Sequence, residues 1–125
     1  MAMKVFRQER AGITELSKRY VNEHLAEIGE VEQVKIYVDE QGDYITEIVG
    51  SEGVIIVDGF SWGYGGEGPH GLLWLLRDKL GGDVSIATIA SIVLRRDEQV
   101  KSAAHVWNCR GWKPDYRVGL RNKPR

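Results

Sequence analysis

Between residues 33 and 57 the apolar positions recur at every second residue, and after residue 70 they recur at helical spacing. Gln33–Val38 and Tyr44–Val49 are rich in β-branched and aromatic residues, and Asp39-Glu-Gln-Gly42-Asp between them reads as a hairpin turn. Gly50-Ser-Glu-Gly53 is a second turn. The run Val54-Ile-Ile-Val57 is apolar on both faces, the mark of a central strand. Upstream, apolar residues at 13, 16, 20, 21, 25 and 28 predict a helix within 12–29, closed by Gly29, and Met3–Phe6 reads as a short strand before it. Downstream, Pro69 sits at a helix start, and the helix should run from His70 to Leu80 until Gly81-Gly82 stops it. Asp83 is a candidate N-cap for Val84–Leu94, where the β-branched content leaves a strand open, and Val100, Ala103, Ala104 and Trp107 suggest another helix. The expected fold is α+β: an antiparallel sheet of three to five strands with helices mainly C-terminal to it.

At 125 residues the chain is expected to be one domain, with a basic C-terminal tail from about residue 113. With 42% hydrophobic and 28% charged residues, wholesale disorder is excluded. No apolar run approaches the roughly 18 residues of a membrane span. The first ten residues lack the apolar core of a secretory signal, and Cys109 is the single cysteine, which rules out an internal disulfide. A cytoplasmic protein is the expectation. The net charge of −1 conceals a gradient. Residues 23–58 hold ten acidic side chains against Lys35, whereas residues 95–125 hold nine Lys or Arg against Asp97, Glu98 and Asp115. A basic end on an acidic chain points to an anion, to nucleic acid or to the acidic half of a second copy; a solvated tail is the plainer alternative.

Residues 59–71 carry the densest chemistry. Six of the thirteen are glycine, with Phe60, Trp62 and Tyr64 interleaved at spacing two, and an apolar helix follows directly. A glycine-rich loop feeding a helix offers unpaired N–H groups to an anion, while the aromatics offer a face to a flat base. The alternative is that these glycines make the tight turns by which the sheet folds back on the helices. No Lys follows the loop before Lys79, so this is not a P-loop. Gly63-Tyr-Gly65-Gly-Glu-Gly68 matches the dinucleotide fingerprint by letter, but the strands before it read as antiparallel and no second βαβ half follows.

Nothing assembles into an enzyme. His24, His70 and His105 lack metal-ligand spacing, and no base accompanies Cys109. Asp58 fits a turn into the glycine loop better than it fits a catalytic carboxylate. Trp74 and Trp107 read as core, Trp112 as exposed. The expectation is a binding protein with no catalytic residues, no metal and no cofactor. A small nucleotide hydrolase or transferase using Asp58 or His70 is the alternative, and a nucleic-acid-binding accessory protein using the basic C-terminus is another.

Phe60-Ser-Trp62-Gly-Tyr64-Gly-Gly66-Glu-Gly68-Pro69-His-Gly-Leu72 resembles a motif of small uncharacterised phage and plasmid proteins: aromatic, x, Trp-Gly-Tyr-Gly-Gly-x-Gly-Pro, then a helix. In size and layout the chain is similar to phage Thoeris anti-defence proteins, oligomeric sponges that sequester cyclic ADP-ribose signals. The resemblance implies a homo-oligomer that binds a nucleotide immune signal without turnover. It implies an aromatic, Trp62 or Tyr64, on the base, and arginines, Arg95, Arg96 or Arg110, on the phosphates. The expected ligand-binding set is Phe60, Trp62, Tyr64, Gly65, Gly66, Gly68, His70, Arg95, Arg96 and Arg110.

Overall fold

Alternating β-branched residues make the sheet, and the helices close over one of its faces. The computed structural model describes residues 3–62, 66–82 and 104–116. Its elements are β1 (Lys4–Arg7), α1 (Thr14–His24) with a 3-10 turn (Leu25–Glu27), β2 (Val31–Val38), β3 (Tyr44–Gly50), β4 (Gly53–Val57), α2 (Glu67–Leu73) running into a π-helical turn (Trp74–Lys79), and β5 (His105–Asn108). The fold is α+β. Five strands form one sheet in the order β1-β4-β3-β2-β5.

Register explains the burial. Val34 pairs with Ile48, which pairs with Ile55, and Ile36 pairs with Thr46, which pairs with Val57. These side chains share one face and are buried. Val21, Leu25 and Ile28 from the first helical segment, with Leu72, Leu75, Leu76 and Leu80 from the second, complete the core. The opposite face carries Arg7, Glu47 and Lys35 in one cross-strand row. At the β2–β3 tip, the Asp39 carboxylate accepts the N–H groups of Asp43 (2.9 Å) and Gln41 (3.0 Å). Those bonds, joined by the Arg10 guanidinium, hold its carboxyl below the ordinary value.

Two expectations are corrected. The sheet is not wholly antiparallel: β1 pairs parallel with β4, since α1 and the β2–β3 hairpin lie between them and return the chain in the same direction. Residues 105–108 are a strand, not the end of a helix, because pairing Trp107 with Val34 and Val106 with Lys35 satisfies the backbone while Trp107 packs on the core. The expected helix over 84–94 and residues 100–103 lie outside the described residues. Among the described residues one helix precedes β2, as expected within 12–29, and one follows β4.

The π-helical turn widens the end of the second helix. Leu80 N–H donates to the Leu75 carbonyl five residues back (2.8 Å), and Gly82 N–H donates to Leu76 (2.8 Å). Gly81, at φ +68°, supplies the left-handed residue that ends it. The Lys79 carbonyl accepts the Asp115 N–H (2.8 Å), which docks the C-terminal segment here. Its buried ammonium has a pKa lowered by desolvation, with the Asp115 charge acting in the other direction. Trp112, expected exposed, packs partly buried against the core beside Gly82.

Candidate ligand-binding cleft

Both helical segments begin at the same end of the sheet, and a cleft of about 710 Å³ opens there. Its walls are the β1–α1 loop (Arg10–Thr14), the hairpin tip (Gly42, Asp43, Tyr44), the segment after β4 (Asp58–Ser61) and the start of α2 (Glu67, Gly68).

A polar lattice fixes the floor. The Asp58 carboxylate accepts the N–H groups of Ala11 (3.2 Å) and Gly12 (3.3 Å), tying the β1–α1 loop to the end of β4. Thr14 Oγ1 donates to the Gly59 carbonyl (2.8 Å), and the Gly59 N–H donates to Ser17 Oγ (2.8 Å). Ser17 Oγ in turn donates to Gln8 Oε1 (2.6 Å). Across the top, Arg10 bridges to the hairpin, donating to Asp39 (2.9 Å) and also to Asp43 and Gln41. Ile13 occupies the N-cap position of α1 and provides no side-chain cap, so the first N–H groups of that helix lack the usual side-chain acceptor.

The expected site residues separate. Phe60 and Trp62 are fully buried, with Trp62 edge-on to Tyr44 at 4.7 Å between ring centroids. Both rings pack into the core at the start of the glycine segment, where Phe60 also borders the cleft. Gly68 lines the cleft, and a Cβ there would collide with Ser61 Oγ. A Cβ at Gly71 would press on Thr14 and lie 2.9 Å from the Phe60 ring. Close packing therefore accounts for these two glycines. Gly66 is the extended residue before α2, and its carbonyl accepts both the His70 backbone N–H (3.1 Å) and His70 Nδ1–H (2.7 Å). His70 thus closes the first turn of α2.

Arg110 lies at the other end of the sheet. Its N–H is held by Asn108 Oδ1 (3.0 Å), and Asn108 pairs with Gln33 near the start of β2. The cleft lies beyond Val38, five residues on, or about 17 Å along a strand. Arg110 therefore does not join the glycine segment at this cleft. Tyr64, Gly65, Arg95 and Arg96 lie outside the described residues. Cys109 is buried, and desolvation pushes its thiol up to about 12, which makes it a structural residue.

Arg10, Asp43, Tyr44 and Glu67 are cleft residues that sequence reasoning missed. The only local hint was a hairpin tip and a loop, each rich in charge; nothing in spacing says that the two face each other. Among the described residues no group of three or more His, Cys, Asp or Glu is placed to hold a metal ion. No described helix is long and apolar enough to cross a membrane. No family model, curated protein or solved structure matches the chain.

Proposed function

We propose that this is a binding protein that takes a nucleotide-derived ligand into the cleft and holds it without turnover. The observation that carries the reading is the cleft itself, about 710 Å³ at the mouth of the glycine segment, with α1 entering it uncapped. That volume falls in the range of about 300–1,000 Å³ usual for small-molecule sites. The first N–H groups of α1 and the Arg10 guanidinium supply donors for a phosphate. Tyr44 and Ser61 border the same space.

Asp58 and His70, the residues on which an enzyme would depend, are each engaged in holding local structure. This favours binding over turnover. The resemblance of the glycine segment to phage proteins makes an immune signal, such as a cyclic nucleotide or a cyclic ADP-ribose derivative, the ligand class to try first. A homo-oligomer is part of the same proposal.

Isothermal titration against cyclic dinucleotides, cyclic trinucleotides and cyclic ADP-ribose isomers tests it. One of them should bind tighter than ~10 μM, about −7 kcal/mol, and heat denaturation should return it unchanged. Recovery of a product would establish an enzyme instead. Failure of every ligand to bind would remove the nucleotide reading.

A further inference from the structure

β1 lies at one edge of the sheet, and only half of its backbone is paired. Lys4 N–H donates to the Glu52 carbonyl (3.1 Å) and Gln8 N–H to the Ile56 carbonyl (2.9 Å), so the even-numbered residues turn towards β4. Val5 and Arg7 turn their N–H and C=O groups the other way. No described strand lies there, and those backbone groups have no partner among the described residues. The edge is open to solvent, with Val5 61% exposed. A groove of about 370 Å³ continues it: residues 8–11, leaving β1, form one wall, and Leu16, Arg19, Tyr20 and Glu23 on one face of α1 form the other. Of six large apolar side chains exposed among the described residues, Met3, Val5 and Leu16 lie along this strand and groove, so exposed apolar surface concentrates here.

We infer that the β1 edge is an interaction surface that takes an extended acidic segment of a partner protein as a further strand, with an apolar side chain of that segment seated in the groove against Leu16 and Tyr20. The unpaired edge groups supply main-chain bonds, and the groove supplies specificity. Charge decides the occupant. Lys4 and Arg7 give the strand two cations and no carboxylate, and Arg19 adds a third cation in the groove. None of the three makes an ion pair with a described residue. Glu9, Glu23 and the hairpin-bridged Arg10 also line the groove, so the positive excess sits on the strand. A second copy of β1 would set two Lys and two Arg in one ladder with no opposing carboxylate, which like-charge repulsion disfavours. Lys4 and Arg7 are three residues apart, hence on opposite faces of the strand, and call for acidic residues at the same spacing.

Fluorescence anisotropy of the full chain with a fluorescein-labelled peptide, Glu-Val-Thr-Glu-Val-Leu, tests this. The controls are Lys-Val-Thr-Lys-Val-Leu and two forms of the acidic peptide, N-methylated at either set of alternate residues. The acidic peptide should bind with a Kd below ~100 μM and at least ~10-fold tighter than the basic one. One N-methylated form should lose binding and the other keep it, since only alternate N–H groups of an added strand face β1. Reversing both charges, Lys4→Glu with Arg7→Glu, should exchange the peptide preference without lowering the thermal midpoint; the N-methylated pair reads the same edge in the unaltered protein. If the acidic peptide fails to bind, if the two N-methylated forms bind alike, or if charge reversal in a folded variant leaves the preference unchanged, the inference is overturned. Self-association seen by light scattering and abolished by Val5→Pro, which deletes an outward N–H that makes no bond to β4, would assign the edge to a second copy and overturn it too. None of these outcomes bears on nucleotide binding at the cleft.

Discussion

Replacing Trp62 with alanine separates a core side chain from a stacking surface. Trp62 is among the largest fully buried side chains, and its ring meets Tyr44 edge-on at an interplanar angle of 83°. Removing a buried aromatic to alanine costs about 3–5 kcal/mol. Losing the edge-to-face pair adds about 0.5–1.5 kcal/mol beyond area. The expected destabilisation is therefore about 3.5–6.5 kcal/mol, a large fraction of the roughly 5–15 kcal/mol that holds a domain folded. With a urea slope of about 2 kcal/mol per molar, the midpoint should fall by about 2–3 M. Equilibrium unfolding followed by far-UV circular dichroism measures this, and Trp62→Phe, which keeps a ring in the site, should lose less than half as much. Any loss of ligand by Trp62→Ala would then follow its unfolded fraction. A variant that loses less than ~1 kcal/mol, well under the cost of any buried aromatic, yet no longer binds, would refute the packing argument and restore Trp62 as a contact residue.

Two further outcomes follow from the packing. Cys109 is neutral in the fold, its thiol raised by burial to about 12 from an ordinary value of 9.0, so its contribution to stability is complete below pH 9 and declines as pH rises from 9 towards 12. The limiting slope is about 1.4 kcal/mol per pH unit; Cys109→Ala should flatten that alkaline decline, and a thiol reagent at pH 8 should react at least ~100-fold more slowly with native than with urea-unfolded protein, equal rates being the contrary result. Gly71→Ala should destabilise by about 1–3 kcal/mol through overpacking against Thr14 and Phe60, although alanine favours a helix by about 1 kcal/mol. A gain in thermal stability would mean the two helices do not approach this closely.

Most local elements were legible from the sequence, because side-chain period reports which face of an element is buried. The alternation over 33–49 became β2 and β3, Asp39–Asp43 became their turn, and the apolar run 54–57 became β4, central enough to be paired on both sides. The first helix and its 3-10 extension likewise fall within the expected 12–29. The direction of β1 was not legible, since four residues pair parallel or antiparallel with the same side chains and only the path through α1 and the hairpin decides. Nor was β5: its Val106 and Trp107 suit either a helix or an edge strand, and the free edge of β2 selected the strand. The aromatic–glycine alternation around Trp62 reads as a ligand loop in isolation; tertiary packing buries the Phe60 and Trp62 rings, while Phe60 and Gly68 line a cleft whose charged residues are Arg10, Asp43, Asp58 and Glu67. Those four come from four separate segments, brought together because two helices start and one hairpin turns at the same end of the sheet. Side-chain period sets which face of each element is buried, because it is a property of neighbouring residues. Which ends of the elements meet, and hence where the cleft lies and why Arg110 is far from it, depends on strand order and direction, which only the assembled sheet decides.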